Sequence, residues 1–112
     1  MIKAKEAREI YNQELQLAEQ FIKSNIEPKI LSVAEKQYHC NFEVSDAFYQ
    51  GVYFSDLKIG QFYRWSISKA IDVTKLVIKI LEKNGYKITT KLKKHGNEYQ
   101  LGYGYITISW EK

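Results

Sequence analysis

Apolar residues along the first quarter of the chain recur at intervals of three and four. Ala7, Ile10, Tyr11, Leu17, Ala18, Phe21 and Ile22 are separated by Glu6, Arg8, Glu9, Glu19 and Gln20, the pattern of an amphipathic helix over residues 4–23. Ser24 and Glu27 stand at capping-box spacing. Pro28 suits a first helical turn, where its missing N–H has no partner to lose. A second, short helix is therefore expected from about Ile26 to Lys36, burying Ile30, Leu31, Val33 and Ala34.

At Tyr38 the period changes to two. Tyr38, Cys40, Phe42 and Val44 alternate with His39, Asn41, Glu43 and Ser45, which predicts a half-buried strand. Residues 46–65 are rich in aromatics (Phe48, Tyr49, Tyr53, Phe54, Phe62, Tyr63, Trp65) and keep no sustained period. They read as a long connection with a short strand near Val52–Phe54. A third helix is expected from about Ile71, with Asp72 as N-cap, an Ile71–Leu76 staple and a buried stripe of Val73, Leu76, Val77, Ile80 and Leu81. Asn84-Gly85 ends it, because glycine enters the left-handed region without steric cost.

Tyr86, Ile88, Thr90 and Leu92 alternate with lysines and a threonine, and a last strand runs from about Glu98 to Trp110 after the turn-like Lys94-His95-Gly96-Asn97. The two form a hairpin, with Ile106, Ile108 and Trp110 on one face and Tyr103, Tyr105 and Thr107 on the other. Each element has one apolar side. The simplest burial is an α+β two-layer sandwich, three helices packed on one face of a small antiparallel sheet of about three strands, whose other face stays open to solvent.

A chain of 112 residues suits one domain, 1–112, with one core. With 45% hydrophobic and 27% charged residues it resembles ordinary globular chains, so long disordered tracts are not expected. No apolar run approaches the ~18 residues of a membrane span, and the charged start is not that of a secretion signal. Cys40 is the single cysteine, so no internal disulfide can form and a reducing compartment is expected.

Charge is unevenly divided. Residues 1–56 hold six Lys/Arg against nine Asp/Glu, a net of −3; residues 57–112 hold eleven against four, a net of +7. A basic surface for nucleic acid or an acidic protein therefore enters consideration. On the open sheet face Lys87, Lys91 and Lys93 would neighbour Tyr99, Tyr103 and Tyr105, the alternation of rings and ammonium groups that single-stranded nucleic acid uses. A second basic line, Lys75, Lys79 and Lys83, would lie on the opposite side, on the third helix, so the lysines make no single stripe.

Catalytic chemistry is not expected. His39 and Cys40 point to opposite faces of a strand and cannot pair as base and nucleophile. Cys40 is in phase with Phe42 and Val44, as a buried structural thiol would be. His95 belongs to a turn. Glu14, Glu19, Glu27 and Glu35 read as solvating charge. Gly102-Tyr103-Gly104 is followed by a strand and by no Lys-Ser/Thr pair, so it marks a bulge or a close backbone approach, and a phosphate loop is not indicated. No catalytic residue, metal ligand or cofactor is assigned. Nine Tyr and two Trp instead favour a protein-binding surface, since these residues dominate interfaces energetically. Its candidates are Tyr49, Tyr53, Tyr63, Arg64, Tyr103 and Tyr105, with Lys87 and Lys91 as steering charges.

The opening MIKAKEARE, the passage LVIKILEKNGYKI and the terminal YGYITISW together resemble a recurrent kind of small bacteriophage protein from AT-rich genomes. The resemblance covers both ends of the chain and not residues 46–65. It implies a viral setting in the host cytoplasm and carries over no functional residue. Within that setting the expected function is a non-catalytic module that binds and inhibits or redirects a host protein, such as a defence component. The alternatives are a virion accessory protein and a single-stranded nucleic-acid-binding module. Self-association into a homo-oligomer stays open.

Overall fold

The computed structural model describes residues 1–46, 51–58, 67–93 and 102–111. Its elements are helix α1 (Ala4–Phe21), a π-helical segment (Ile22–Ile26), α2 (Glu27–Val33), β1 (His39–Asp46), β2 (Val52–Phe54), a 3₁₀ turn (Ser55–Lys58), α3 (Ile67–Lys83), β3 (Lys87–Lys93) and β4 (Gly102–Ser109). The α+β class is as expected. The sheet, however, has four antiparallel strands in the order β2-β1-β4-β3, so the short Val52–Phe54 strand is a full member at one edge.

The first two helices are continuous, and the expected capping box does not form. Ala18, Ile22, Ile26 and Ile30 recur every fourth residue. An α-helix turns about 400° in four residues, so this stripe would drift about 40° per step and leave the core by Ile30. The wider π turns absorb that drift: Glu27 N–H reaches the Ile22 carbonyl five residues back, and Ala18, Ile22, Ile26 and Ile30 are all buried. Pro28 favours the same solution, because in a regular helix its ring would press on the carbonyl four residues earlier. Ser24, read as a cap, instead donates its hydroxyl to the Gln20 carbonyl at 2.9 Å. α2 ends at Val33, and Leu31 (75% exposed) and Ala34 face away from the core. Tyr38 precedes the strand and is also exposed.

α3 starts four residues before the expected Ile71, leaving Asp72 exposed inside the helix. A local capping preference loses here to burial of Ala70, Ile71, Val73 and Thr74. The far end is as expected: Gly85 adopts φ +94, Tyr86 N–H bonds the Leu81 carbonyl and Gly85 N–H that of Glu82, which together make a Schellman stop.

The core lies between the helices and one sheet face. Phe54 is central to it, with the Phe21 ring 5.1 Å away and the Phe42 ring edge-on at 6.2 Å. Thr74 ties β2 to α3: its hydroxyl donates to the Ala70 carbonyl (2.8 Å) and accepts from the Phe54 N–H (3.1 Å). Lys29 of α2 donates to the Asn41 carbonyl and stands over the Phe42 ring, joining α2 to β1. Trp110 is half-buried at the core margin, edge-on to Tyr86 at 6.4 Å, and its N–H bonds the Tyr38 carbonyl. At Gly104 a Cβ would fall 2.0 Å from the Lys91 carbonyl oxygen. This is the close backbone approach that the strand glycine signalled.

Two substitutions test this framework. Thr74→Val keeps the side-chain shape but strands the buried Phe54 N–H, so a cost of about 1–3 kcal/mol is expected in denaturant unfolding; Thr74→Ser should recover most of it. Gly104→Ala should cost about 1–3 kcal/mol or more, because backbone of β3 must move to admit the methyl group.

Candidate binding face of the sheet

Strand register decides which positions share the sheet face that the described helices leave uncovered. Across β1, β4 and β3 the paired rows run His39, Ser109, Lys87; then Asn41, Thr107, Thr89; then Glu43, Tyr105, Lys91; then Ser45, Tyr103, Lys93. The intervening rows, such as Cys40, Ile108, Ile88 and Phe42, Ile106, Thr90, point toward the helices. Alternation of this kind follows from the two-residue period, since neighbours along a strand leave opposite sides of the pleat.

Tyr103 and Tyr105 are 38% and 46% exposed and stand two residues apart on β4, inside the sheet, where strands on both sides hold the backbone. Lys87 and Lys91 are exposed on β3, one strand away. Glu43 flanks Tyr105 from the β1 side, so the row Glu43–Tyr105–Lys91 carries an acid, a ring and a base in sequence. The Thr107 hydroxyl donates to Asn41 Oδ1 at 2.7 Å and links the two strands on this face. Sequence reasoning missed Glu43 and Asn41 as members of the face, because only the β1–β4 register brings them beside the tyrosines.

Four of the expected binding residues are thus placed on one surface: Lys87, Lys91, Tyr103 and Tyr105. Tyr53 is not among them. Its pairing with Ser45 sets it on the row of Tyr103, on the side opposite Phe54, but it is 5% exposed and buried there. Tyr49, Tyr63 and Arg64 lie outside the described residues, as do Tyr99, His95 and the tip of the β3–β4 hairpin. Lys75, Lys79 and Lys83 are exposed on α3, in the helix layer on the other side of the sheet.

Cys40 is 2% exposed, and burial pushes its thiol above the ordinary range, with Lys29 pulling weakly the other way. His39, its neighbour, is exposed on the opposite face. Among the described residues no three His, Cys, Asp or Glu side chains gather to hold a metal ion, and no helix is long and apolar enough to cross a membrane. A shallow groove between the π segment and α3, lined by Glu19, Ile22, Lys23, Glu27, Ile80 and Asn84 among others, brings two carboxylates and an amine to an apolar floor. No protein-family model matches this chain, and no significant match is found among curated proteins or solved structures.

The buried thiol has two measurable consequences. A thiol reagent should label Cys40 slowly in the native protein and rapidly after denaturation. The second is a pH dependence: the unfolded chain loses its thiol proton near pH 8.5 while the folded chain keeps it, so stability should fall as pH rises through and above that value. Cys40→Ala should abolish this alkaline slope.

Proposed function

We propose that the protein is a non-catalytic binding module that holds a partner protein against the open face of its sheet. The observation that carries this reading is the pair Tyr103 and Tyr105, exposed on a strand that is hydrogen-bonded on both sides. A backbone held in this way loses little conformational freedom on binding, and tyrosine supplies both apolar area and a hydroxyl.

The charges around the pair favour a protein over a nucleic acid. Lys87 and Lys91 lie to one side, while Glu43 lies directly beside Tyr105 and would repel a phosphate following the rings. A protein surface with charges of both signs complements such a row. The resemblance of the two chain ends to small bacteriophage proteins supports a host protein as the partner, with inhibition or redirection of that protein as the outcome. Within this reading the steering role belongs to the β3 lysines, and the anchoring role to the tyrosines.

The test is the double variant Tyr103→Ala/Tyr105→Ala. It should stay folded, since neither ring belongs to the core. Binding to a partner captured from host lysate by the unaltered protein should weaken by about 2 kcal/mol or more, roughly 30-fold. A Lys75/Lys79/Lys83→Ala triple variant should bind normally. The opposite pattern would move the site to the helix layer, and tight, steeply salt-dependent retention on single-stranded DNA would replace the protein partner with nucleic acid.

A further inference from the structure

The apolar stripe of α1 does not end where the core ends. Ala18 and Phe21 are fully buried, yet Ile10 and Tyr11, on the same face two to three turns earlier, are 50% and 49% exposed, and every residue from Ala4 to Gln13 is exposed. The first half of the helix therefore presents an amphipathic face that nothing among the described residues covers. Isolated helical segments of this length are marginal in water, and their order ordinarily comes from packing of such a face.

Charge along the same helix is segregated. Residues 1–8 carry Lys3, Lys5 and Arg8 against Glu6, while residues 9–22 carry Glu9, Glu14 and Glu19 and no Lys or Arg. At the N-terminal end this order opposes the helix's own electrostatics, which favour acids there. Lys3 occupies the N-cap without a side-chain capping bond, and Lys5–Glu9 is the weaker orientation of an i, i+4 pair. A single helix gains little from such a sequence. Two helices laid antiparallel gain from it twice, because each basic end then lies along the other's acidic stretch.

We propose that a second copy of this chain docks on the first half of α1, the two helices antiparallel about a two-fold axis between Arg8 and Glu9. That register sets Lys3 opposite Glu14 of the second copy and Ala7 opposite its Ile10, and symmetry repeats each pair, while Arg8 and Glu9 mark the level of the axis from the far side of each helix. The small Ala7 leaves room for the facing Ile10. A parallel pair would instead align like charges. The surface involved is independent of the open sheet face, so a dimer leaves Tyr103 and Tyr105 accessible.

Sedimentation equilibrium of the full chain tests this, from about 5 to about 500 µM at low salt, a range suited to an interface at the small end of specific ones. The average mass should climb from 13.2 kDa toward twice that value. Ile10→Asp, a change at an exposed position whose folding a thermal melt verifies, should hold the protein monomeric across the range. Lys3→Glu should weaken association roughly five- to tenfold, since two attractive pairs become repulsive. Lys3→Glu/Glu14→Lys should restore it, which only the antiparallel register allows. A constant 13.2 kDa mass, a dimer indifferent to Ile10→Asp, or a double variant no better than Lys3→Glu alone would each overturn the proposal. So would a dimer broken by Tyr103→Ala/Tyr105→Ala, which would place the second copy on the sheet face.

Discussion

The pairing of β1 with β4 is the constraint on which the rest of the structure depends. Eight residue pairs, from His39–Ser109 to Asp46–Gly102, join segments more than fifty residues apart in the chain. This pairing fixes the phase of both central strands, and through them of β2 and β3. A slip of one residue would turn Cys40, Phe42, Val44, Ile106 and Ile108 to water and bring Glu43 and Tyr105 into the core. Gly104 helps to hold the register, because the Lys91 carbonyl occupies the space a side chain would need and another residue at that position would be refused. The helices then have one face to cover. Phe21 from α1, Ile26 and Ile30 from the widened segment and α2, and Val73 and Val77 from α3 are all buried.

Most of this was legible in the sequence where a single period runs uninterrupted. The alternation of Cys40, Phe42 and Val44, the Asn84-Gly85 stop and the two faces of the last strand all follow from local geometry. What was not legible depended on competition between signals. Ser24, Glu27 and Pro28 have the composition of a helix start, but the four-residue spacing of Ala18, Ile22, Ile26 and Ile30 rewards a continuous, widened helix, and burial of four apolar side chains outweighs one cap. Asp72 has the composition of a cap as well, yet Ala70 and the Thr74 hydroxyl bond require helix before it.

The candidate site was legible to a similar degree. The period placed Tyr103, Tyr105, Lys87 and Lys91 on one face because all four lie on two strands of one hairpin. It could not place Glu43 or Asn41 there, since their position is set by pairing across the whole chain. Tyr53 illustrates the converse error. Aromatic density in residues 46–65 suggested exposure, but Tyr53, paired with Ser45 on the side opposite Phe54, is 5% exposed.

The division of labour between the two layers follows from the same geometry. A sheet face held by hydrogen bonds on both sides of β4 cannot rearrange without breaking strand pairs, so the backbone positions of Tyr103, Tyr105, Lys91 and Glu43 are fixed by pairing. In the proposed role such a face would fit a surface of matching shape and charge order, with little adaptation of its backbone. The exposed half of α1 is different in kind: its backbone bonds are internal, its apolar face is narrow, and its charges are arranged against its own dipole. Its stability as a helix therefore depends on what lies beside it, whereas that of the sheet face does not. With the two proposals taken together, the sheet face and the exposed half of α1 lie on different layers, so a molecule engaged on one would still meet a surface on the other.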